Sequence, residues 1–573
     1  METLTIQKLF DAKNRKFEIP AYQRSYSWGK EQIMQFIEDL KNASNKYYLG
    51  HFLFEQPNEN TLQIIDGQQR LTTCVIFFSS MYNELSNRKQ QGEVIVVDLD
   101  DIKDYYIRDI RKQTQKFRTV EYDNNFFVDE VINQKKNAQE PSTLSQKHIR
   151  EAKTLFDEEF AKIPTETLEQ WYNLVQNATI TQFVVSDKAE AAQIFAFQND
   201  RGKALSKLDK IKSYFMLQVY LLSGNDDLIN ENIKYLESEF ETIYQRIVMV
   251  DEKEDEVLNH YWRAISGKGF YSDDVVDGVK TAIANQLEKI DWIKDFVAGI
   301  SQAFETVYKV KQSKYSYITD LFYLNNMALA YPFFIKADRC KASENTFNRM
   351  ARFLENITFR SLLRGGRADV ESRFNCILNN LNIKDDKSLN DSINWMIDRI
   401  KNDWWWGYWS DNEMIRCVDS GWFYKNRVDN YLLWKYELYL CNENHPMPHK
   451  VKFSDLIHNE SIEHIAPQTP TNGNPVANGY GEYEGNDGIV SGDWLNCVGN
   501  LMLISQSHNS SIGNKPFADK LASYGKDNLL NQQKEIIDFV ENKDNPIWNR
   551  AAIEKRHNKI KDAVKDIWNL ETI

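Results

Sequence analysis

At 573 residues, with 42% hydrophobic and 27% charged positions, the chain is too long for one core and too apolar to be disordered. Two or three domains are expected. A formal net charge of −13 gives no support for passive, whole-surface binding to nucleic acid, and any such contact would have to come from local basic features.

Residues 1 to about 90 alternate short apolar strands with amphipathic helices. Phe17-Glu18-Ile19-Pro20 reads as a strand, and Lys30 to Leu40 as a helix with Ile33, Met34, Phe36, Ile37 and Leu40 inward. Tyr47 to Glu55 and Gln63 to Ile65 read as further strands. The second runs through an Asp66-Gly67 turn into a helix from Gln69 to Leu85. A polar helical stretch follows, then a strand at Thr179 to Val185 and a helix through Ala189 to Phe197. From 205 to about 445 nearly everything has helical period. Within it, Trp404-Trp405-Trp406-Gly407-Tyr408-Trp409 reads as packed core or interface, with base stacking the alternative. Gln468 to Asp493 is a long Gly/Asn-rich loop, Cys497 to Leu503 an apolar strand, and Lys534 to Asn569 a helical tail. Six cysteines lie scattered without a CxxC pair, which argues against a disulfide scaffold or zinc knuckle and fits a reducing cytoplasm. The longest apolar runs, such as Cys74 to Phe78, fall far short of the roughly 20 residues that span a bilayer. The expected protein is soluble and cytoplasmic, with no membrane partner.

Chemistry concentrates near the C-terminus. Ser461-Ile462-Glu463-His464-Ile465-Ala466-Pro467-Gln468 is followed by Gly499-Asn500-Leu501 and, nine residues after Asn500, by Asn509. Glu463 offers a hard carboxylate oxygen to Mg²⁺ or Mn²⁺, and Asn509 an amide oxygen as second ligand. His464 can take a proton from water as general base. Asn500 can hydrogen-bond the His464 backbone or ring. Taken singly, each reads as structural; Asn509 beside His508, for example, can simply cap a helix. His508 is the runner-up ligand, turned about 100° away on a helix. The order resembles the HNH (His-Me finger) nuclease motif in its His-Asn-Asn form. With Lys515-Pro516-Phe517, Lys520, Trp548 and Ile553 to Arg556, it is similar to the HNH domain that ends GmrSD-type restriction proteins.

The second constellation is Ile64-Ile65-Asp66-Gly67-Gln68-Gln69-Arg70, a buried strand, a turn and a helix start. Gly67 lets the backbone approach a ligand, and exposed N–H groups at the helix start favour a phosphate. Arg70 can clamp a phosphate bidentately. Asp66 can bind magnesium or position a water that Gln68 and Gln69 orient. Upstream, Gln23, Arg24 and Trp28 add a second arginine beside aromatics. There is no GxxxxGK[ST] P-loop. Pro20 to Trp28, Tyr47 to Gly50 and Asp66 to Arg70 together resemble the N-terminal, ParB/sulfiredoxin-like domain of the same GmrSD-type family. Phe195 to Lys212 fits that family's later motif through Asn199, Arg201-Gly202, Leu205, Asp209 and Lys212, with Asn199 and Asp209 equally readable as scaffold. The resemblance implies binding and hydrolysis of a nucleotide, GTP or ATP.

The fold expected is mostly helical α+β: a nucleotide domain at 1–220, a helical connecting region at 221–450 and a ββα-metal HNH domain at 451–573. The function expected is a nucleotide-regulated, metal-dependent DNA endonuclease of type IV-like, modification-dependent restriction, aimed at phage DNA. The rivals are a non-catalytic NTP-binding sensor or scaffold of a defence system, and an abortive-infection nuclease acting on host DNA or RNA. Partners beyond DNA and nucleotide, whether a second copy or other defence proteins, stay open. Two stretches offer basic contacts: Arg360, Arg364, Arg367 and Arg373, and Arg550, Lys555, Arg556, Lys559 and Lys561. A solvated helix face is the simpler reading of both.

Overall fold

Strand-forming segments near the N-terminus assemble a mixed six-stranded sheet. A computed structural model describes residues 2–573 apart from 12–14, 44–45, 110–113, 136–138, 186–205, 251, 267–273, 366–369, 382–384, 442–445, 448–450, 457–460, 482–491 and 527–529. The strands are β1 (Glu2–Thr5), β2 (Lys16–Glu18), β3 (Tyr48–Asn58), β4 (Thr61–Asp66), the short pair β5 (Arg108–Asp109) and β6 (Thr114–Gln115), β7 (Phe117–Arg118) and β8 (Thr179–Val185). The main sheet runs β1-β8-β3-β4-β2-β7. β3 pairs antiparallel with β4 and parallel with β8, which puts the sequence-distant 179–185 segment beside the 48–58 strand.

The helix Gln68–Gln90 leaves β4 through Gly67. Its run Cys74-Val75-Ile76-Phe77-Phe78 is wholly buried, so this helix is enclosed by core rather than amphipathic. Phe77 meets Phe36, Phe156 and Phe160 edge-on at centroid distances of 6.0, 5.6 and 5.4 Å, which ties the helices behind the sheet together. The chain divides into two compact units. The first is Met1–Trp262 with Ser272–Lys311, and the second is Arg263–Tyr271 with Gln312–Ile573. The fold is mostly helical α+β, as expected. No helix among the described residues is long and apolar enough to cross a membrane.

Among the described residues the second unit is helical around a small antiparallel pair, β9 (Ile462–His464) and β10 (Leu501–Leu503), followed by the helix Gln506–Ile512. Here the structure departs from several expectations. Cys497 to Leu503 is not one strand: Val498–Asn500 form a 3-10 turn, and only the last three residues pair with β9. The tail is irregular before the helix Arg550–Ile567. In the tryptophan cluster, Trp406 and Trp409 are buried as expected, but Trp404 is 89% exposed. The expected helix at 189–197 lies outside the described residues.

Both basic stretches prove largely structural. Arg360 is buried, donating to the Trp409 and Trp568 carbonyls at 2.7 Å each and pairing with Asp411. Arg364 pairs with Glu413, and Arg373 donates to the Trp405 carbonyl at 2.8 Å. Arg556 and Lys559 converge on Glu535, and Lys561 pairs with Asp419. Arg550 lies over the Trp494 ring, and Lys555 donates to the Asp538 carbonyl. Arg367 lies outside the described residues. Backbone carbonyls and carboxylates hold these cations because desolvating a guanidinium or ammonium without partners is costly.

Candidate active site

The second-unit site begins with the register of the β9–β10 pair, in which Leu501 faces His464 and Leu503 faces Ile462. Ser505 caps the helix that follows, its hydroxyl accepting from His508 N–H. Asn509, one turn in, donates its side-chain N–H to the Ile462 carbonyl at 3.0 Å and fastens that helix to β9. His508 instead bonds Ser523 at 2.7 Å and is buried.

His464 ends β9 with its Nε2 3.1 Å from Asn496 Oδ1. An amide oxygen only accepts, so Nε2 carries the hydrogen and Nδ1 keeps its lone pair. The Tyr424 ring meets the imidazole edge-on at 4.5 Å. Burial lowers the imidazole to about 4, the Asn496 bond opposing it and the Lys520 charge adding to it. The ring is therefore neutral at physiological pH and able to accept a proton.

Asn500 is fully buried, and its side-chain hydrogen bonds go to Ala466, Leu495 and Trp548 instead of the His464 ring. Its Oδ1 accepts from Ala466 N–H at 2.8 Å and Trp548 Nε1 at 2.9 Å. Its Nδ2 donates to the Ala466 and Leu495 carbonyls at 3.0 and 2.8 Å. It staples the backbone two residues past His464, while the Ile465 N–H donates to its own carbonyl. The turn carrying it is held by Arg556, which donates to the Gly499 and Leu501 carbonyls at 3.0 and 2.6 Å. Gly499 is required there, because a Cβ would lie 2.5 Å from the Ile553 carbonyl oxygen.

Glu463, the expected carboxylate ligand, is buried. Its side chain points inward, with Oε1 accepting from Lys520 Nζ at 2.7 Å and Tyr524 OH at 2.8 Å. Lys520 also donates to the His464 carbonyl at 2.8 Å, so one ammonium ties both residues of the pair. Burial pushes the Glu463 carboxyl up and the Lys520 ammonium down, each against the other's charge. Among the described residues no group of three or more His, Cys, Asp or Glu gathers as a metal site.

Sequence reasoning missed Asn496 and Tyr424. Asn496 joins two segments: its side chain holds His464, and its carbonyl accepts from Phe423 and Tyr424 N–H at 2.9 and 3.0 Å. Gly421 lets this loop press on the chain near Asn496, since a Cβ would lie 2.3 Å from Asp493 Cβ. Lys520 and Tyr524, four apart on one helix, were the available signal for the Glu463 environment.

In the first unit, Gly67 has φ +92, and a Cβ there would lie 2.4 Å from the Phe52 ring. This left-handed turn ends β4 and starts the Gln68–Gln90 helix. Most of the expected ligand residues serve the loop. Gln69 accepts from Ser27 N–H at 2.8 Å and donates to the Ser25 carbonyl at 3.0 Å, and Gln23 donates to the Ile65 carbonyl at 3.1 Å. Arg70 lies over Phe52 and donates to the Leu49 and His51 carbonyls at 3.0 and 2.7 Å, with Asp66 at 3.5 Å. Its fork is turned onto β3, not outward as a phosphate clamp. Trp28 packs against the core. Gln68 is buried with its side-chain oxygen unbonded.

Arg24 pairs with Asp209 at 3.4 Å, and Tyr244 OH donates to the same carboxylate at 2.6 Å. Lys212 donates to the Tyr22 carbonyl at 2.7 Å with its ammonium among the Tyr22, Phe240 and Tyr244 rings. Burial lowers it to about 8. Asp209 and Lys212 thus position the loop that carries Arg24. Asn199 and Arg201 lie outside the described residues.

A family model described as the N-terminal domain of the GmrSD restriction endonuclease matches residues 6–216. A second, described as the C-terminal domain of GmrSD restriction endonucleases, matches residues 408–563 and contains His464, Asn496, Asn500 and Asn509. The chain belongs to the GmrSD restriction endonuclease family. Membership makes it a type IV-like restriction nuclease, a hydrolase with DNA as partner. No curated protein matches the chain.

Proposed function

We propose that the second unit cuts DNA by HNH chemistry with His464 as general base, and that the first unit binds and hydrolyses a nucleoside triphosphate that governs the cutting. The observation that carries the nuclease reading is the His464 ring, neutral and fixed through Nε2 by Asn496, with Nδ1 left to accept a proton from water. Lys520 holds the His464 carbonyl and Asn500 holds the Ala466 backbone, so the imidazole is mounted on a chain segment fixed on both sides.

Glu463 and Asn509 fit a hard cation in donor type. Asn509's amide nitrogen bonds the Ile462 carbonyl, and its amide oxygen is the hard donor it would contribute. Mg²⁺ or Mn²⁺ held there would stabilise charge on the scissile phosphate and the leaving oxygen. Lys520 is the competitor any such ion meets at Glu463. In the first unit, the helix start after Gly67, the half-exposed Asp66 and Arg24 are the groups offered to a triphosphate and its water, with the unbonded oxygen of Gln68 beside them.

Plasmid cleavage tests both halves, using unmodified, hydroxymethylated, glucosylated and phosphorothioated DNA with Mg²⁺ or Mn²⁺, with and without GTP or ATP. His464→Ala should lower cleavage by about 10²–10⁴-fold, the usual worth of a general base, and leave nucleotide hydrolysis intact. Asp66→Ala should lose hydrolysis. Wild-type cutting by His464→Ala removes the nuclease assignment.

A further inference from the structure

With the two expected basic stretches largely engaged inside the fold, the −13 chain needs another cationic surface near His464. The loop 421–427 supplies one. Its Tyr424 ring lies against His464, and its backbone is fixed by the Asn496 carbonyl. Two residues before Tyr424, the Trp422 indole is 74% exposed, although burying such a ring is strongly favourable. Lys425 and Arg427 are exposed, and among the described residues neither forms an ion pair, the Lys425 ammonium lying 5.5 Å from the Tyr424 ring centroid. Lys425 holds a left-handed φ of +65 while its backbone N–H is gripped by Asp429 Oδ2 at 2.9 Å. A left-handed lysine is a sparsely populated conformation that the fold maintains here.

Behind this loop lies a cavity of about 570 Å³. Lys425 and Arg427 line it together with Tyr323, Tyr431, Phe453 and Asn325. Tyr323 is half-buried and suits a planar base, the buried Tyr431 and Phe453 rings backing the wall, and cations suit the phosphates on either side of it. The volume falls in the range of roughly 300–1,000 Å³ that holds drug-sized ligands, so a base carrying a bulky substituent has room. Two residues, three chain steps of at most about 11 Å in extended form, separate Trp422 from Lys425 at the cavity wall.

We propose that Trp422 wedges into the duplex and that the cavity lined by Tyr323, Tyr431, Phe453, Lys425 and Arg427 receives the nucleotide it extrudes, holding the adjoining phosphodiester at His464. Extruding a base costs a few kcal/mol of stacking and pairing, which a wedge and a receiving pocket side by side offset. This is a device for reading a base substituent before cutting, and it rests on the DNA-nuclease reading above.

The test uses the full-length chain carrying His464→Ala, with duplex DNA containing 2-aminopurine at successive positions, with and without GTP or ATP. The expected result is a several-fold rise in 2-aminopurine fluorescence on binding. Adding Trp422→Ala should abolish that rise while anisotropy shows binding retained. Adding Lys425→Ala with Arg427→Ala should weaken binding and lower the salt dependence by about two phosphate contacts. No rise at any position, or an unchanged rise in the Trp422→Ala chain, overturns the inference. So does a Trp422-dependent response to structured RNA with none to DNA. A wild-type chain that cuts DNA in a His464-dependent way with no extrusion sinks this inference alone. A chain that extrudes but never cuts supports the pocket and sinks the nuclease reading.

Discussion

The two motif-bearing sites share a plan, a strand running through a turn into a helix, but they use their polar residues differently. At the β4–Gly67 turn, Gln23, Gln69 and Arg70 all grip backbone, so the named motif is chiefly the scaffold of a loop. At the β9–β10 pair the scaffold is built by Asn500, Arg556 and Lys520, and His464 is held only at one ring nitrogen. A motif residue in the first unit thus mostly shapes the ligand's surroundings. In the second, one residue is kept back for chemistry while its neighbours hold it. The difference also separates the expected mutant phenotypes: loop loosening in one unit, loss of one catalytic group or of its mount in the other.

The largest stability effect should come from Lys520→Met, which leaves the Glu463 carboxylate buried without its cation. Breaking such a pair costs about 3–5 kcal/mol, checked by urea denaturation. A loss under about 1 kcal/mol would mean that water reaches the pair and screens it. Asn500→Ala comes next. It strips partners from the Ala466 N–H and carbonyl and from Trp548 Nε1, all of them on buried residues. At about 1–3 kcal/mol for each group left unsatisfied, with partial relaxation, the expected loss is about 2–4 kcal/mol together with cleavage. Intact cleavage in this variant would contradict its role as the mount of the His464 segment.

In the first unit, Gly67→Ala forces an alanine to φ +92 against Phe52. The expected cost is about 1–3 kcal/mol, with weaker nucleotide binding and unaltered His464 chemistry, measured by calorimetry and cleavage in parallel. Equal affinity for nucleotide would remove the turn from the site. The smallest effect concerns acid. His464 has a folded pKa of about 4, below its ordinary 6.5, so below 6.5 the unfolded chain binds the extra proton first. Its contribution to stability is therefore complete above about 6.5 and declines as pH falls toward 4, a slope that His464→Gln should flatten.

Much of this plan was legible in the sequence. β8 spans the segment its apolar pattern indicated, β4 ends at Asp66, and Asn509 lies in the helix after β10. What was not legible depends on coverage. Arg360 and Arg556 read as solvent cations because charge is visible in sequence, whereas the carbonyls that surround them come from Trp409, Trp568, Gly499 and Leu501. Asn500 looked like a strand residue because its neighbours are apolar; they are apolar because the turn itself is buried under the last helix. The surroundings of Glu463 were hidden because nothing in Glu-His-Ile shows that Lys520 and Tyr524 fold back onto it. Asn496 and Tyr424 carry no motif at all, and only the approach of the 421–425 loop gives them a role.

The central claim is that a neutral, Asn496-held His464 takes the proton. Single-turnover DNA cleavage by the wild-type chain across pH 4 to 8, with folding followed by circular dichroism, tests it most directly. The account predicts a rate that holds between pH 8 and about 5 and an acid limb near 4, where the imidazole titrates. An acid limb near 6.5 in folded protein, the ordinary value for histidine, would contradict it.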